Sequence, residues 1–65
     1  MCMSTVYEHN TDGDVFLYRN IANVEVDKDK LIFVNILGEK MDYSGVIRKM
    51  DFINNLILVE KKENA

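Results

Sequence analysis

Turn-forming residues recur at short intervals along this chain, and their spacing limits the length of any regular element between them. Asp12-Gly13 is a strong hairpin signal. The wholly charged run 27–30 predicts a second turn, and Gly38 is placed to adopt a positive φ in a third. Asn54-Asn55 predicts a fourth turn, because asparagine tolerates the left-handed region. The chain is therefore expected to form several short elements.

The segments between these turns have the composition of β-strands. Residues 23–27 alternate between polar and apolar side chains, and residues 31–37 are rich in the β-branched and aromatic types that suit a buried strand. Residues 46–52 fit either a strand or a helical turn, and Gly45 before them indicates a bulge or sharp bend. The remaining strands are predicted at 3–8, 15–18, 40–44 and 56–59.

These segments predict an all-β fold. We expect a small antiparallel barrel or strongly twisted sheet of six to seven short strands, SH3-like or Sm-like in kind. A chain of 65 residues builds one domain with a thin core. That domain is predicted at 1–60, with a frayed polar tail at 61–65. An open sheet edge and a thin core both favour a partner, so we predict a C2 homodimer.

The charge balance argues against a nucleic-acid-binding surface. The chain has 8 basic and 11 acidic residues and a formal charge of −3, whereas nucleic-acid binders present a basic face to phosphates. We therefore predict no nucleic-acid-binding residues, and we expect the six aromatic side chains to serve mainly in packing.

The reactive side chains are too few for a self-contained enzyme. The only histidine, His9, falls in a predicted loop, and turn formation explains Asp12 and Asp14 better than catalysis or calcium binding does. We predict no enzymatic activity. The sequence also shows no targeting segment and no apolar run long enough to span a bilayer, so we predict a cytoplasmic protein without membrane contact.

The only cysteine, Cys2, excludes an internal disulfide and offers a metal ligand near the chain start. Its thiolate can chelate together with its own amine if Met1 is removed, or with the Met1 amine and the Cys2 amide if Met1 stays. Such nitrogen and sulfur donors favour Ni(II) or Cu(II), and Met3 adds a weak thioether candidate. Two chains could supply two thiolates and two nitrogens. So short a motif has weak specificity, and an incidental cysteine is the simpler interpretation.

The opening residues 1–7, Met-Cys-Met-Ser-Thr-Val-Tyr, resemble those of the CooT family. This family comprises small proteins linked to nickel insertion into carbon monoxide dehydrogenase. Residues 21–25, 33–39 and 56–59 are also similar to that family, so the resemblance covers about 1–60. It implies a cytoplasmic homodimer with a small β-barrel fold that binds Ni(II) through Cys2. The same family has been labelled RNA-binding from fold analogy, which the acidic composition argues against.

The leading hypothesis is a metallochaperone-like nickel-binding accessory protein. Cys2, with Met3 as a weaker candidate, would hold Ni(II) between two protomers for delivery to a client nickel enzyme such as carbon monoxide dehydrogenase. The alternatives are a small barrel that binds nucleic acid and a protein-interaction module in which Cys2 is incidental.

Overall fold

The computed structural model describes residues 3–62, which form five β-strands and the turns that join them. Consecutive strands pair in antiparallel fashion, and the first pairs with the last in parallel to close a barrel. The prediction of a small all-β barrel is confirmed, with one parallel pair at its closure. The strands are β1 (Ser4–Asn10), β2 (Gly13–Asp27), β3 (Lys30–Asn35), β4 (Lys40–Asp51) and β5 (Leu56–Lys61).

The predicted number of six to seven strands is wrong, because two pairs of predicted strands are single long strands. The segments 15–18 and 23–27 both belong to β2, and the segments on either side of Gly45 both belong to β4. Each long strand changes its partner along its length. The first part of β2 pairs with β1 and the second with β3, while β4 passes from β3 to β5. The five strands therefore form the paired segments that were expected from six to seven shorter strands.

Local backbone features allow these long strands to bend. In β2, Asn20 has a φ of 58°, and the register with β3 shifts between Ile21 and Asn23. In β4, Gly45 lies where the strand leaves β3 and joins β5. A Cβ atom on Gly45 would lie 2.3 Å from the carbonyl oxygen of Glu60, so only glycine permits this close approach. The alternative of a helical turn after Gly45 is excluded.

The four predicted turns are confirmed, and positive φ angles occur at each. Gly13 follows the two-residue loop between β1 and β2 with a φ of 124°. Lys28 has a φ of 57° in the charged turn, and Gly38 has a φ of 85° between β3 and β4. Asn55, with a φ of 53°, ends the turn before β5. Turn chemistry was thus the most reliable local signal in the sequence.

The core is small, and every strand contributes to it. Because the barrel is closed, the expected open sheet edge, one reason for predicting a homodimer, does not exist among the described residues. The thin core, the other reason, is present. The buried hydrophobic residues are Val6, Ile21, Leu31, Phe33, Tyr43, Ile57 and Val59.

The last strand is longer than the sequence indicated. It was predicted at 56–59, but β5 continues through Lys61 and includes the first residue of the predicted tail. The backbone N–H of Lys62 donates to the carbonyl oxygen of Ser44 at 3.4 Å, and its ammonium group pairs with Asp29. Residues 63–65, the rest of the predicted tail, lie outside the described residues.

Candidate functional site

The loops of the barrel gather at two ends of different chemical character. We call one the charged end; it consists of residues 9–11, 27–30 and 60–62. The N–H of Gly45 donates to the carbonyl of Asp29 at 2.9 Å there, which holds the turn between β2 and β3 against the strands. We call the other the apolar end, consisting of Met3, Ile36, Leu37, Phe52 and Ile53.

β1 begins at the apolar end, between its two loops. Ser4, the first residue of β1, pairs with Ile21 of β2. On that side the N–H of Ile36 donates to the carbonyl of Asn20 at 3.0 Å. On the other side the N–H of Thr5 donates to the carbonyl of Asn55 at 2.9 Å. The first residues of β1 are therefore flanked by the loop after β3 and the turn before β5.

The apolar side chains of these two loops point into solvent. Leu37 is 79% exposed, Phe52 82% and Ile53 91%. Ile36 and Met3 are about half-exposed. Five of the ten exposed large hydrophobic residues belong to this end, and the other five lie on β2 and β4. The apolar end is therefore a candidate interaction surface, because its exposed residues lie on two neighbouring loops.

The loop after β3 is held in place by one side chain. The Asn35 Oδ1 atom accepts hydrogen bonds from the backbone N–H groups of Leu37 at 2.9 Å and Glu39 at 3.0 Å. The Asn35 Nδ2 atom donates to Glu39 Oε1 at 2.7 Å. This asparagine turn fixes the backbone that presents Leu37.

The turn before β5 is held in a similar way by an aspartate. Asp51 Oδ1 accepts the N–H groups of Ile53 and Asn54, both at 3.0 Å, and Asp51 Oδ2 accepts the Asn54 side-chain amide at 2.9 Å. These hydrogen bonds, led by that of the Asn54 side chain, hold the pKa of the Asp51 carboxyl below its usual value. The backbone that presents Phe52 and Ile53 is therefore anchored as well.

Of the two predicted metal ligands, only Met3 falls within the described residues. Cys2 is outside the described residues, and Met3 directly precedes β1 with 41% of its surface exposed. Within residues 3–62, no three side chains of histidine, cysteine, aspartate or glutamate come together to hold a metal ion. Sequence reasoning missed the two apolar loops, whose signal was the placement of Leu37 and of Phe52-Ile53 directly beside turn-forming residues.

Carboxylates lie beside several of the basic side chains at the surface. Lys30 pairs with Asp42 and Arg48 with Glu60, both at 3.0 Å. Together with the pair formed by Lys62, three of the eight basic residues are neutralised locally. This arrangement does not provide the continuous positive face that a phosphate backbone requires.

The only histidine of the chain, His9, lies in β1 and not in the predicted loop, and its surface setting is ordinary. His9 Nδ1 lies 3.1 Å from Asp14 Oδ1 across the hairpin between β1 and β2, and both side chains are substantially exposed. A hydrogen bond across a hairpin explains this geometry without a catalytic role.

The chain matches the model of a known protein family. The family model described as CO dehydrogenase accessory protein CooT matches residues 1–60. The chain belongs to the CooT family. This family is described by an accessory role and not by a catalytic one.

A solved structure supports the CooT fold. A crystal structure assigned to CooT from Carboxydothermus hydrogenoformans matches with a TM-score of 0.86, covering 95% of this chain and 100% of that chain at 18% identity. At this identity the likeness speaks for the fold alone. No curated protein matches the chain in sequence. Among the described residues, no helix is long and apolar enough to cross a membrane.

Proposed function

We propose that this CooT protein is a nickel-binding accessory protein that holds Ni(II) as cargo through Cys2 for delivery to a client enzyme. The observation that carries the proposal is the family match, which begins at residue 1 and so includes Cys2. The family description makes carbon monoxide dehydrogenase the first candidate for the client. The position of Met3, the residue after Cys2, supports delivery, because Met3 is part of an exposed apolar surface suited to contact.

The donor chemistry at the chain start suits nickel. A cysteine thiolate together with a terminal amine or a deprotonated amide forms a nitrogen–sulfur chelate that favours Ni(II) over magnesium or calcium. Met3, at 41% exposure, is a weaker thioether candidate. One chain supplies one thiolate, and a homodimer in which both protomers contribute Cys2 would supply two thiolates and two nitrogens to one site. We place this homodimer in the cytoplasm, where a single free thiol stays reduced.

A protein-interaction module is the second candidate, and the apolar end favours it. In that case the exposed loops would be the functional surface, and Cys2 would be incidental. Nucleic-acid binding has no such support, because the surface cations are interspersed with carboxylates.

A Ni(II) titration of the purified protein, followed by ultraviolet–visible absorption, tests the proposal. We expect a thiolate-to-nickel charge-transfer band that saturates at half a metal per chain. Lowering the pH should weaken binding, because the thiol must lose its proton before it binds the metal. The Cys2→Ser variant should lose the band while its far-ultraviolet circular dichroism remains unchanged.

Met3→Leu is the matched control beside the cysteine, because it removes the thioether and keeps an apolar side chain of similar size. We expect this variant to retain the band, with at most a small loss of affinity. If Cys2→Ser binds nickel with unchanged affinity, Cys2 is not a nickel ligand. The protein-interaction module would then be the better account of the function. Saturation at one metal per chain would remove the shared site but keep Cys2 as a ligand.

A further inference from the structure

We propose that Asp12 is a modification site, at which aspartate converts spontaneously to isoaspartate. The reaction joins the Asp12 side chain to the backbone nitrogen of Gly13, and it is favoured before glycine because glycine has no side chain to shield that nitrogen. Of the six aspartates in the chain, only Asp12 precedes a glycine. Asp12 directly follows residues 9–11 of the charged end, and its conversion needs no metal, so the site is independent of the nickel proposal.

The conversion takes two steps that need only water. In the first, the Gly13 nitrogen bonds to the carboxyl carbon of the Asp12 side chain, and the carboxyl hydroxyl leaves with the amide proton as one molecule of water. The product is a cyclic imide. In the second step, water adds to one of the two ring carbonyl carbons and breaks its bond to nitrogen. Opening at the side-chain carbonyl restores aspartate, whereas opening at the main-chain carbonyl leaves isoaspartate, with the backbone routed through the side chain.

The Asp12 carboxylate has no partner that holds it away from the backbone. Within residues 3–62, Asp12 and Asp27 are the two aspartates whose side chains make no hydrogen bond or ion pair. Asp27 precedes Lys28, whose side chain shields the backbone nitrogen. The other four carboxylates are engaged by His9 at Asp14, Lys62 at Asp29, Lys30 at Asp42 and Asn54 at Asp51. Sequence and structure therefore select the same residue.

The turn around Asp12 leaves space for the ring. Asp12 and Gly13 are both exposed. Among the described residues, no heavy atom beyond the adjoining residues lies within 4 Å of the position that a Cβ atom on Gly13 would take. A crowded turn would oppose the rotation that brings the carboxyl carbon to the nitrogen, and this turn is not crowded.

The end of the hairpin can also move without opening the barrel. The parallel pairing of β1 with β5 ends at Glu8. Beyond it, in the part of the chain that the structure describes, His9 and Asn10 pair only with Asp14 and Gly13. The hairpin tip, residues 9–14, therefore extends past the pair of strands that closes the barrel. A backbone change in the tip leaves that closing pair intact.

Isoaspartate lengthens the backbone of the two-residue loop by one atom. The length of such a loop fixes the register of its hairpin. The pairing of Asn10 with Gly13 and the hydrogen bond between His9 and Asp14 should therefore be disturbed. The core residue Val6, which lies in β1 before the tip, should keep its surroundings.

Heavy-oxygen labelling of the full chain tests the site. The purified protein and a synthetic peptide of residues 8–16 are kept at neutral pH in water labelled with heavy oxygen until half of the peptide has converted. Mass spectrometry with electron-transfer fragmentation then distinguishes isoaspartate from aspartate. We expect isoaspartate with one heavy oxygen atom at position 12. The rate in the folded protein should lie within about tenfold of the peptide rate, because few contacts hold the hairpin tip.

Asp14 is the internal control, since it is also exposed but is bonded to His9 and precedes Val15. We expect its conversion to be at least roughly tenfold slower, which corresponds to a barrier about 1.4 kcal/mol higher. Asp12→Glu is the matched variant, because it keeps the exposed carboxylate but requires a larger and less favourable ring. It should abolish the modification at position 12, whereas Asp27→Glu should leave it unchanged.

Three results would overturn the assignment. These are a folded protein without isoaspartate at position 12 when half of the peptide has converted, equal conversion of Asp12 and Asp14, or undiminished heavy-oxygen uptake at position 12 in Asp12→Glu. The amide NMR spectrum of the isomerised protein tests the predicted confinement. Shifts limited to residues 9–15 support it, and shifts at Val6 and Val59 would show that the hairpin tip is not separate from the barrel.

Discussion

A hydrogen bond inside the barrel couples β1 to β4 at the scale of single residues. The Tyr43 hydroxyl donates to Glu8 Oε2 at 2.7 Å, and only 8% of the tyrosine is exposed. Burial of the phenol and its hydrogen bond to Glu8 raise the pKa of Tyr43 above its ordinary value. We expect Tyr43→Phe to lower the free energy of unfolding by about 1–2 kcal/mol, because it leaves the partly buried carboxylate without this donor.

The pH dependence of this effect follows from the direction of the pKa shift. Because the pKa of Tyr43 is higher in the folded state, its contribution is complete below about pH 10 and is lost as the pH rises further. Urea unfolding of the wild type and Tyr43→Phe should therefore show a difference at pH 8 that shrinks at pH 11. Tyr7→Phe is the control, since the Tyr7 hydroxyl makes no side-chain hydrogen bond within residues 3–62. A constant difference across this range would contradict the assignment.

Among single residues, the metal chemistry of Cys2 can be proposed from the sequence alone, whereas the setting of Met3 cannot. A chelate built from Cys2 and its own backbone depends on atoms that are consecutive in the chain, so it can be proposed without a fold. The half-exposed setting of Met3 at the apolar end depends on the pairing of Ser4 with Ile21 and of Thr5 with Asn55, which no local pattern specifies.

At the scale of elements, β4 is the strand whose continuity depends on a single residue. A Cβ atom on Gly45 would lie 2.3 Å from the Glu60 carbonyl oxygen and 2.6 Å from the Tyr43 ring, so backbone would have to move. We expect Gly45→Ala to destabilise the fold by about 1–3 kcal/mol, as overpacking of buried sites does. Ser44→Ala, at the exposed neighbouring position, should change stability by no more than about 0.5 kcal/mol. Thermal unfolding of both variants tests this, and equal stabilities would show that β5 adjusts freely.

The same strand explains why the number of elements was overestimated. Residues 40–44 and 46–52 read as two segments because Gly45 interrupts the pattern, and the stretch around Asn20 interrupts β2 in the same way. A bend inside a strand and a turn between strands use the same residue types: Gly45 and Asn20 lie at the bends, and Gly13, Gly38 and Asn55 lie at the turns. Which of the two forms depends on the partner strand, and that is decided by pairing between distant residues.

At the scale of the whole molecule, the separation into a charged and an apolar end was not predictable from the sequence. Leu37 was assigned to the end of one strand and Phe52 to the end of another, where their burial was the ordinary expectation. Only the closed order of the strands brings both loops to the side where β1 begins. The all-β class, in contrast, followed from the turn spacing because that signal is local.

The effect of nickel on stability distinguishes a metal held by the folded molecule from one held by the chain start alone. A chelate made only of Met1 and Cys2 atoms binds the unfolded chain as well as the folded one, and a ligand that binds both states equally does not change stability. A site shared by two protomers exists only in the folded dimer. With free Ni(II) at about 100 times its Kd, a shared site should raise the unfolding free energy by about 2.7 kcal/mol.

In a domain of this size, such a gain raises Tm by roughly 10–20 °C, which differential scanning calorimetry detects easily. Cys2→Ser should show no increase, and Met3→Leu should show nearly the full increase. A wild-type protein that forms the charge-transfer band without any rise in Tm would hold nickel in a local chelate on each chain. Nickel would then not link the two protomers, and a homodimer would have to be stabilised by direct contacts between the two barrels.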